Sequence, residues 1–205
     1  MAKALVIYAH PRPDRSEING PLFETAKAVQ GVTPVDLYAE YPDFDIDVDR
    51  EQQRLVEHDV IVFQHPLYWY SAPAIMKEWQ DLVLEHGFAY GKHGTALAGK
   101  TFMNAITAGA KPDAYSQAGL NHADLRSLLL PFEATAHLCG MRYLAPFALF
   151  GAGRASEGNQ LDIHRNAYDD LLKALVADRL DFEKAAAAPF LGDVLDEFLI
   201  KTGAM

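Results

Sequence analysis

Short unbroken apolar runs alternate with longer mixed stretches along this chain. The first run covers residues 4–9, Ala-Leu-Val-Ile-Tyr-Ala, and runs of the same kind lie within 59–64 and 101–106. None of them alternates polar with apolar, which marks strands buried on both faces of a parallel sheet. Residues 32–38 form a further strand candidate interrupted by Pro34, which places it near a sheet edge. Residues 142–150 hold a fifth, with Pro146 inside it. Between these runs the spacing turns helical. Ser16 is placed as the N-cap of a helix reaching about Val29. Residues 49–57 form a short polar helix, and Pro73 opens another over 74–84. Two helices are expected over 124–130 and 132–139, and a last strong one over 157–179. Residues 10–15, 42–47, 65–70, 87–99 and 107–122 are expected to be loops. Strands alternating with helices in this way predict a doubly wound α/β sheet, and five strands fit the order 2-1-3-4-5.

Composition narrows the partners. The 205 residues are 50% hydrophobic and 22% charged, as expected of a globular protein and not of a disordered one. Lys plus Arg number 18 against 28 Asp plus Glu, a net charge of −10, which repels phosphate backbones and argues against nucleic acid. A single cysteine, Cys139, excludes an intrachain disulfide and any Cys-based zinc or redox motif. The strongly apolar stretches fall well short of the ~18 residues a membrane span needs. The first ten residues are too short in apolar length for a signal peptide, so a cytoplasmic location is expected.

In an open parallel sheet, ligands bind beyond the carboxyl ends of the strands. Three loops there have distinctive compositions. The first runs from His10 to Asn19 and ends at a helix start, where free N–H groups and the helix dipole favour phosphate. Ser16 and Asn19 add side-chain donors, and Arg12 and Arg15 add local positive charge; alternatively Ser16 only caps the helix and the arginines are solvated. The second carries Tyr68, Trp69 and Tyr70 in a row, which either wall a flat aromatic ligand or anchor the core or a dimer interface. The third, Thr107-Ala108-Gly109-Ala110, is small enough to let backbone approach a ring, or is an ordinary turn. A phosphate cradle, an aromatic wall and a small-residue loop together describe an FMN site.

The motifs carry a resemblance as well. Tyr8-Ala9-His10-Pro11, the stretch Ser16-Glu17-Ile18-Asn19, Tyr41-Pro42-Asp43-Phe44 and Gln64-His65-Pro66 with Trp69-Tyr70-Ser71 appear in order. Ala89-Tyr90-Gly91, Gly94-Thr95-Ala96-Leu97 and Cys139-Gly140 follow. This series resembles the flavodoxin-like NAD(P)H:quinone oxidoreductases, and within them the ancillary proteins of Kef-type glutathione-gated potassium efflux systems, over about residues 3–179. The resemblance implies a flavodoxin-like three-layer sandwich with a five-stranded parallel sheet. It implies FMN, with FAD left open, and NAD(P)H as co-substrate. It implies a homodimer that reduces quinones or another small electron acceptor by two-electron, ping-pong hydride transfer. His10, Ser16, Glu17, Ile18 and Asn19 are then expected at the phosphate and ribityl end, Leu67, Tyr68, Trp69 and Tyr70 beside the flavin ring, and Thr107, Ala108, Gly109 and Ala110 at its pyrimidine edge. The family often has Thr-Thr-Gly-Gly in that last loop, so an alanine replaces a glycine here and narrows the space. Tyr115 matches a tyrosine that stabilises charge on the ring. The family's histidine position falls on Asn121, with His122 next, so Tyr115 and His122 are the catalytic candidates. The division expected is a reductase domain over 1–180 and a C-terminal extension over 181–205. The alternative role implied is a regulatory subunit docking on a potassium efflux transporter, at the inner face of the membrane.

Other patterns are weaker. Residues 94–101 match the phosphate-loop string G-x-x-x-x-G-K-[ST], but a strand follows where the motif needs a helix. Residues 151–156 nearly match G-x-G-x-x-G, with Ser156 in the last place and no strand left to complete the unit. A strand-to-helix turn is the better reading, and such a turn could still edge the flavin pocket. Eight histidines form no metal-binding spacing, and no metal is expected.

Overall fold

The computed structural model describes residues 1–192 and 195–200. The apolar runs become β1 (Ala4–Tyr8), β2 (Val32–Asp36), β3 (Val60–Pro66) and β4 (Thr101–Ala108), followed by the short β5 (Arg142–Tyr143) and β6 (Phe147–Phe150). Every pairing is parallel, and the order is β2-β1-β3-β4-β5, with β6 also on β4. Pro34 lies on edge strand β2 opposite Val6, where its missing N–H interrupts no further ladder.

Helices α1 (Asn19–Ala28), α2 (Leu37–Glu40), α3 (Val48–Glu57), α4 (Ala74–Val83), α5 (Leu125–Leu138), α6 (Gln160–Val176) and α7 (Phe182–Ala187) cover both faces. The two-residue period of β1 feeds two separate cores. Ala4, Val6 and Tyr8 pack with Leu22 and Phe23 of α1 and Leu171 of α6. Leu5, Ile7 and Ala9 pack on the other side with Leu55 of α3, Trp79 of α4 and Leu129 of α5. The expected three-layer sandwich is the fold observed. On its outer side, fully buried Glu51 accepts from the Trp79 indole at 2.9 Å and the Tyr41 hydroxyl at 2.6 Å, clamping α3 to α4.

Four local expectations differ. The fifth strand is broken, because Phe102 and Ala105 of β4 pair with Tyr143 and Phe147, leaving one extra residue on the partner. That bulge holds Pro146, which cannot donate to a ladder. The second strand stops at Asp36, whose carboxylate caps α2 by accepting the N–H groups of Tyr38 and Ala39. The first helix begins at Asn19, not directly after Ser16, because the Ser16 N–H closes a tight turn onto the Pro13 carbonyl. The two expected helices around residue 131 are one, α5, with Pro131 inside it. Leu125, Leu129, Phe132 and Ala136 form one continuous buried face, and that packing outweighs the lost hydrogen bond.

The chain beyond α6 folds back along β6. Leu191 accepts from the Ala148 N–H at 2.8 Å and donates to the Pro146 carbonyl at 2.7 Å. Of the expected 181–205 tail, residues 193–194 and 201–205 lie outside the described residues. Among the described residues no helix is long and apolar enough to cross a membrane.

Candidate functional site

The strand order reverses between β1 and β3, which opens a crevice at their carboxyl ends. A cleft of about 370 Å³ lies there. His10, Ser16, Glu17, Ile18, Asn19, Leu67, Tyr68, Thr107 and Gly109 line it, so the three loops singled out from sequence do converge. Pro66, Arg15, Ala152 and Gly153 complete the lining. The near-match at 151–156 is a turn, as expected, and it edges this cleft.

The first loop presents donors. Ser16 Oγ accepts from the Tyr8 hydroxyl at 3.0 Å and from the Gly20 N–H at 2.8 Å, so it still serves the helix start from outside. The backbone N–H groups of Glu17, Ile18 and Asn19 make no bond to the described chain. They sit at the positive end of α1, where an anion is favoured. The two arginines differ. Arg12 is closed onto Asp14 through two bonds of 2.7 and 2.9 Å. Arg15 lines the cleft with no ion pair among the described residues.

The cleft floor is a buried polar chain. Tyr168 of α6 donates to Gln64 Oε1 at 3.2 Å, and Gln64 Nε2 donates to the Asn19 carbonyl at 2.8 Å. Asn19 Nδ2 then donates to Thr107 Oγ1 at 2.7 Å. The Thr107 carbonyl accepts the Leu67 N–H at 2.8 Å, joining the third loop to the second. The other amide atom of Asn19, Oδ1, is buried without a partner. A buried polar atom left this way carries a free-energy cost that a ligand group removes.

The second loop is built differently. The Ser71 N–H returns to the Tyr68 carbonyl at 3.0 Å, closing a turn in which Trp69 and Tyr70 have φ of 50° and 63°. Left-handed backbone at two consecutive aromatics is unfavourable. Trp69 is 94% exposed, while Tyr68 and Tyr70 are half-exposed. Burial holds the His10 imidazole below its usual pKa, so it is neutral. Its Nδ1 accepts the Arg12 N–H at 3.2 Å, which puts its proton on Nε2, against the Tyr68 hydroxyl at 3.3 Å.

At the third loop, Ala108 is fully buried in β4, and a Cβ added at Gly109 would meet nothing within 4 Å. Ala110 lines an adjoining cleft of about 460 Å³ that shares Gly109 and Gly153 with the first and contains Lys111 and Arg154. The alanine that stands in for a glycine therefore borders the second cleft, not the first. The Tyr115 ring lies 5.4 Å from that of Phe150. Burial pushes the Tyr115 phenol up, with an Ala110 N–H opposing, so it is a neutral donor. His122 is exposed at φ 52°, and its side chain has no bonding partner among the described residues. Asn121 is less exposed, accepting from the Tyr70 hydroxyl at 3.3 Å and holding a buried, unpartnered Nδ2. Asn121, and not the candidate His122, occupies the family's histidine position, and its polarity beside a tight turn is the signal the sequence offers.

Comparison with known proteins agrees with this geometry. A family model described as flavodoxin-like fold matches residues 2–172. The glutathione-regulated potassium-efflux system ancillary protein KefG of Serratia proteamaculans (strain 568) is 48% identical over 171 residues, covering 83% of this chain and 93% of that protein. Among solved structures, one described as a thermophilic tryptophan halogenase from Streptomycin violaceusniger has a TM-score of 0.79 at 46% identity, over 81% of this chain and 96% of that one. General stress protein 14 of Treponema denticola, in complex with FMN, has a TM-score of 0.75 at 34% identity, over 83% and 99%. An NADPH-quinone reductase from P. pentosaceus has a TM-score of 0.72 at 30% identity, over 85% and 97%. With its strand order, its crevice and its match over residues 2–172, the chain belongs to the flavodoxin-like fold family.

Proposed function

We propose that this protein is an FMN-dependent NAD(P)H:quinone oxidoreductase, with its flavin in the cleft between β1, β3 and β4. The observation that carries the reading is the half-satisfied Asn19 amide, buried at the floor of a cleft whose rim offers the free N–H groups of Glu17, Ile18 and Asn19. These residues fit a phosphorylated flavin. The N–H groups and Arg15 would hold the phosphate, Asn19 and Thr107 would meet the ribityl chain, and Gly109 leaves open space for the ring. FMN, when bound, supplies two-electron transfer from NAD(P)H to a quinone in ping-pong order. The chain supplies position and electrostatics. Tyr115 would offer a neutral phenol to negative charge on a bound flavin, and Leu67 to Tyr70 would flank its ring. His122 is secondary in this reading because it is exposed, whereas Asn121 stands at the family's histidine position and bonds the Tyr70 hydroxyl.

The reading extends to a reductase domain over 1–180 with an extension over 181–205. It also extends to a cytoplasmic homodimer in which a second copy covers the exposed Trp69. FAD remains the other flavin to titrate, since Lys111 and Arg154 line the adjoining cleft. The test is NAD(P)H oxidation by the FMN-supplemented chain. Turnover dependent on both FMN and a quinone is expected, and a folded chain with no quinone-dependent turnover contradicts the proposal. The 48% identity to KefG favours a second, compatible role as an ancillary subunit of a potassium efflux system. Unchanged efflux in a strain lacking the protein contradicts that role.

A further inference from the structure

Pro189 and Phe190 lie beyond the stretch matched by the family model, which ends at residue 172. Their segment is fastened to the sheet. Leu191 is paired to β6 through Pro146 and Ala148, and Arg126 of α5 donates to the Ala186 and Ala188 carbonyls at 2.6 and 3.2 Å. The Phe190 ring meets Phe150 edge to face, with centroids 5.0 Å apart, and Phe150 meets Tyr115 at 5.4 Å. Between these rings lies a cavity of about 160 Å³, bounded also by Pro112, Leu125 and Pro189.

The cavity's chemistry selects its occupant. Its two charged neighbours are already engaged. Asp124 accepts from the Ser127 N–H and hydroxyl at 2.9 and 2.7 Å. Arg126 is taken by the two carbonyls and by Glu133 at 2.7 Å. What remains is aromatic and proline surface, which favours a neutral apolar group. An apolar cavity of roughly 150 Å³ takes one benzene-sized ring. Tyr115, the candidate catalytic donor, forms one wall of it.

We propose that the C-terminal segment builds an acceptor-specificity subsite, in which Pro189, Phe190 and Phe150 receive the second, non-reacting ring of a bicyclic quinone beside Tyr115. Phe190 is a specificity residue in this assignment and touches no reacting atom. The assignment rests on the quinone-reductase reading.

The experiment compares 2-methyl-1,4-naphthoquinone with 1,4-benzoquinone as acceptors for the FMN-supplemented full chain and its F190A, F190W and F190L variants. In parallel, ligand-observed NMR without NAD(P)H gives the Kd of each quinone. Removing or overfilling the wall is expected to lower the naphthoquinone-to-benzoquinone ratio of kcat/KM about tenfold, through KM, in both F190A and F190W. F190L is expected to keep most of the preference. FMN affinity and ferricyanide reduction stay unchanged. A ratio unmoved in F190A and F190W, with FMN still bound, overturns the subsite. Loss of FMN binding in every variant also overturns it, since the segment is then only a structural strap. If the wild type turns over neither quinone, the reductase reading fails by itself. In that case an F190A loss of naphthoquinone affinity in the NMR titration still supports the subsite, and an unchanged Kd overturns it.

Discussion

The loop after β1 and the turn after β3 face one cleft but are held in place by different means. Asn19, in the first, is 3% exposed and is tied through Gln64 to Tyr168, a residue far along the chain on α6. Trp69, in the second, is 94% exposed on left-handed backbone and has no side-chain bond among the described residues. The first wall is completed by the chain's own core and needs only a ligand. The second keeps an unfavourable conformation and a large apolar surface that nothing in the described chain covers. Burial energy and hydrogen bonds therefore organise the Asn19 side in advance, while the aromatic side is left uncovered; under the proposed function a flavin ring or a second copy would bury it.

That contrast can be broken most severely at Gln64. Gln64→Leu keeps the volume but leaves the Tyr168 hydroxyl buried without its partner and the Asn19 carbonyl with its helical bond alone. A loss of about 2–4 kcal/mol in unfolding free energy is expected, roughly 1–3 for the hydroxyl and about 1 for the lost bond to the carbonyl, measured by urea titration. A loss under about 1 kcal/mol means the floor is not held as described.

Acid should act one residue on, at His65, which faces the other core from the opposite side of β3. Tyr143 donates to Asn104 Oδ1 at 2.9 Å, which turns the Asn104 Nδ2 toward His65 Nε2 at 3.2 Å. The His65 proton therefore sits on Nδ1, donated to the Pro66 carbonyl at 3.0 Å. Burial holds this imidazole down to about 4, against 6.5 when unfolded. The unfolded chain thus takes up its proton first as pH falls. Stability is complete above about 6.5 and declines by about 3 kcal/mol on the way to about 4. His65→Gln should flatten the urea midpoint against pH in that window, and an equally steep variant would contradict it.

The exposed side should respond in the opposite sense and least. Trp69→Gly removes left-handed strain and forfeits almost no burial. It should raise stability by about 0.5–1 kcal/mol, read as a higher Tm, while lowering quinone turnover. A destabilised variant would show that Trp69 is already packed.

The sheet was legible because its three central strands are continuous apolar runs and Pro34 marks the edge. The loops that meet at the cleft were legible from the strand-end rule. Side-chain partners were not. Nothing local separates Arg12, closed onto Asp14, from Arg15, which is open to the cleft. Nor does Ser16 announce that its N–H will bend back to Pro13 and delay the helix to Asn19. The Tyr168–Gln64–Asn19 chain joins three distant stretches, so no sequence window contains it. Pro131 misled for a related reason: a breaker is read locally, while the buried face that overrides it belongs to tertiary packing.

The central claim is that the cleft around Asn19 holds a flavin phosphate and ribityl chain, and an FMN titration of the purified full chain followed by flavin fluorescence tests it most directly. The account predicts saturable one-to-one quenching by the wild type, with affinity at least about tenfold weaker in a folded Asn19→Ala variant. No saturable quenching by the folded wild type, or equal affinity in the variant, would contradict it.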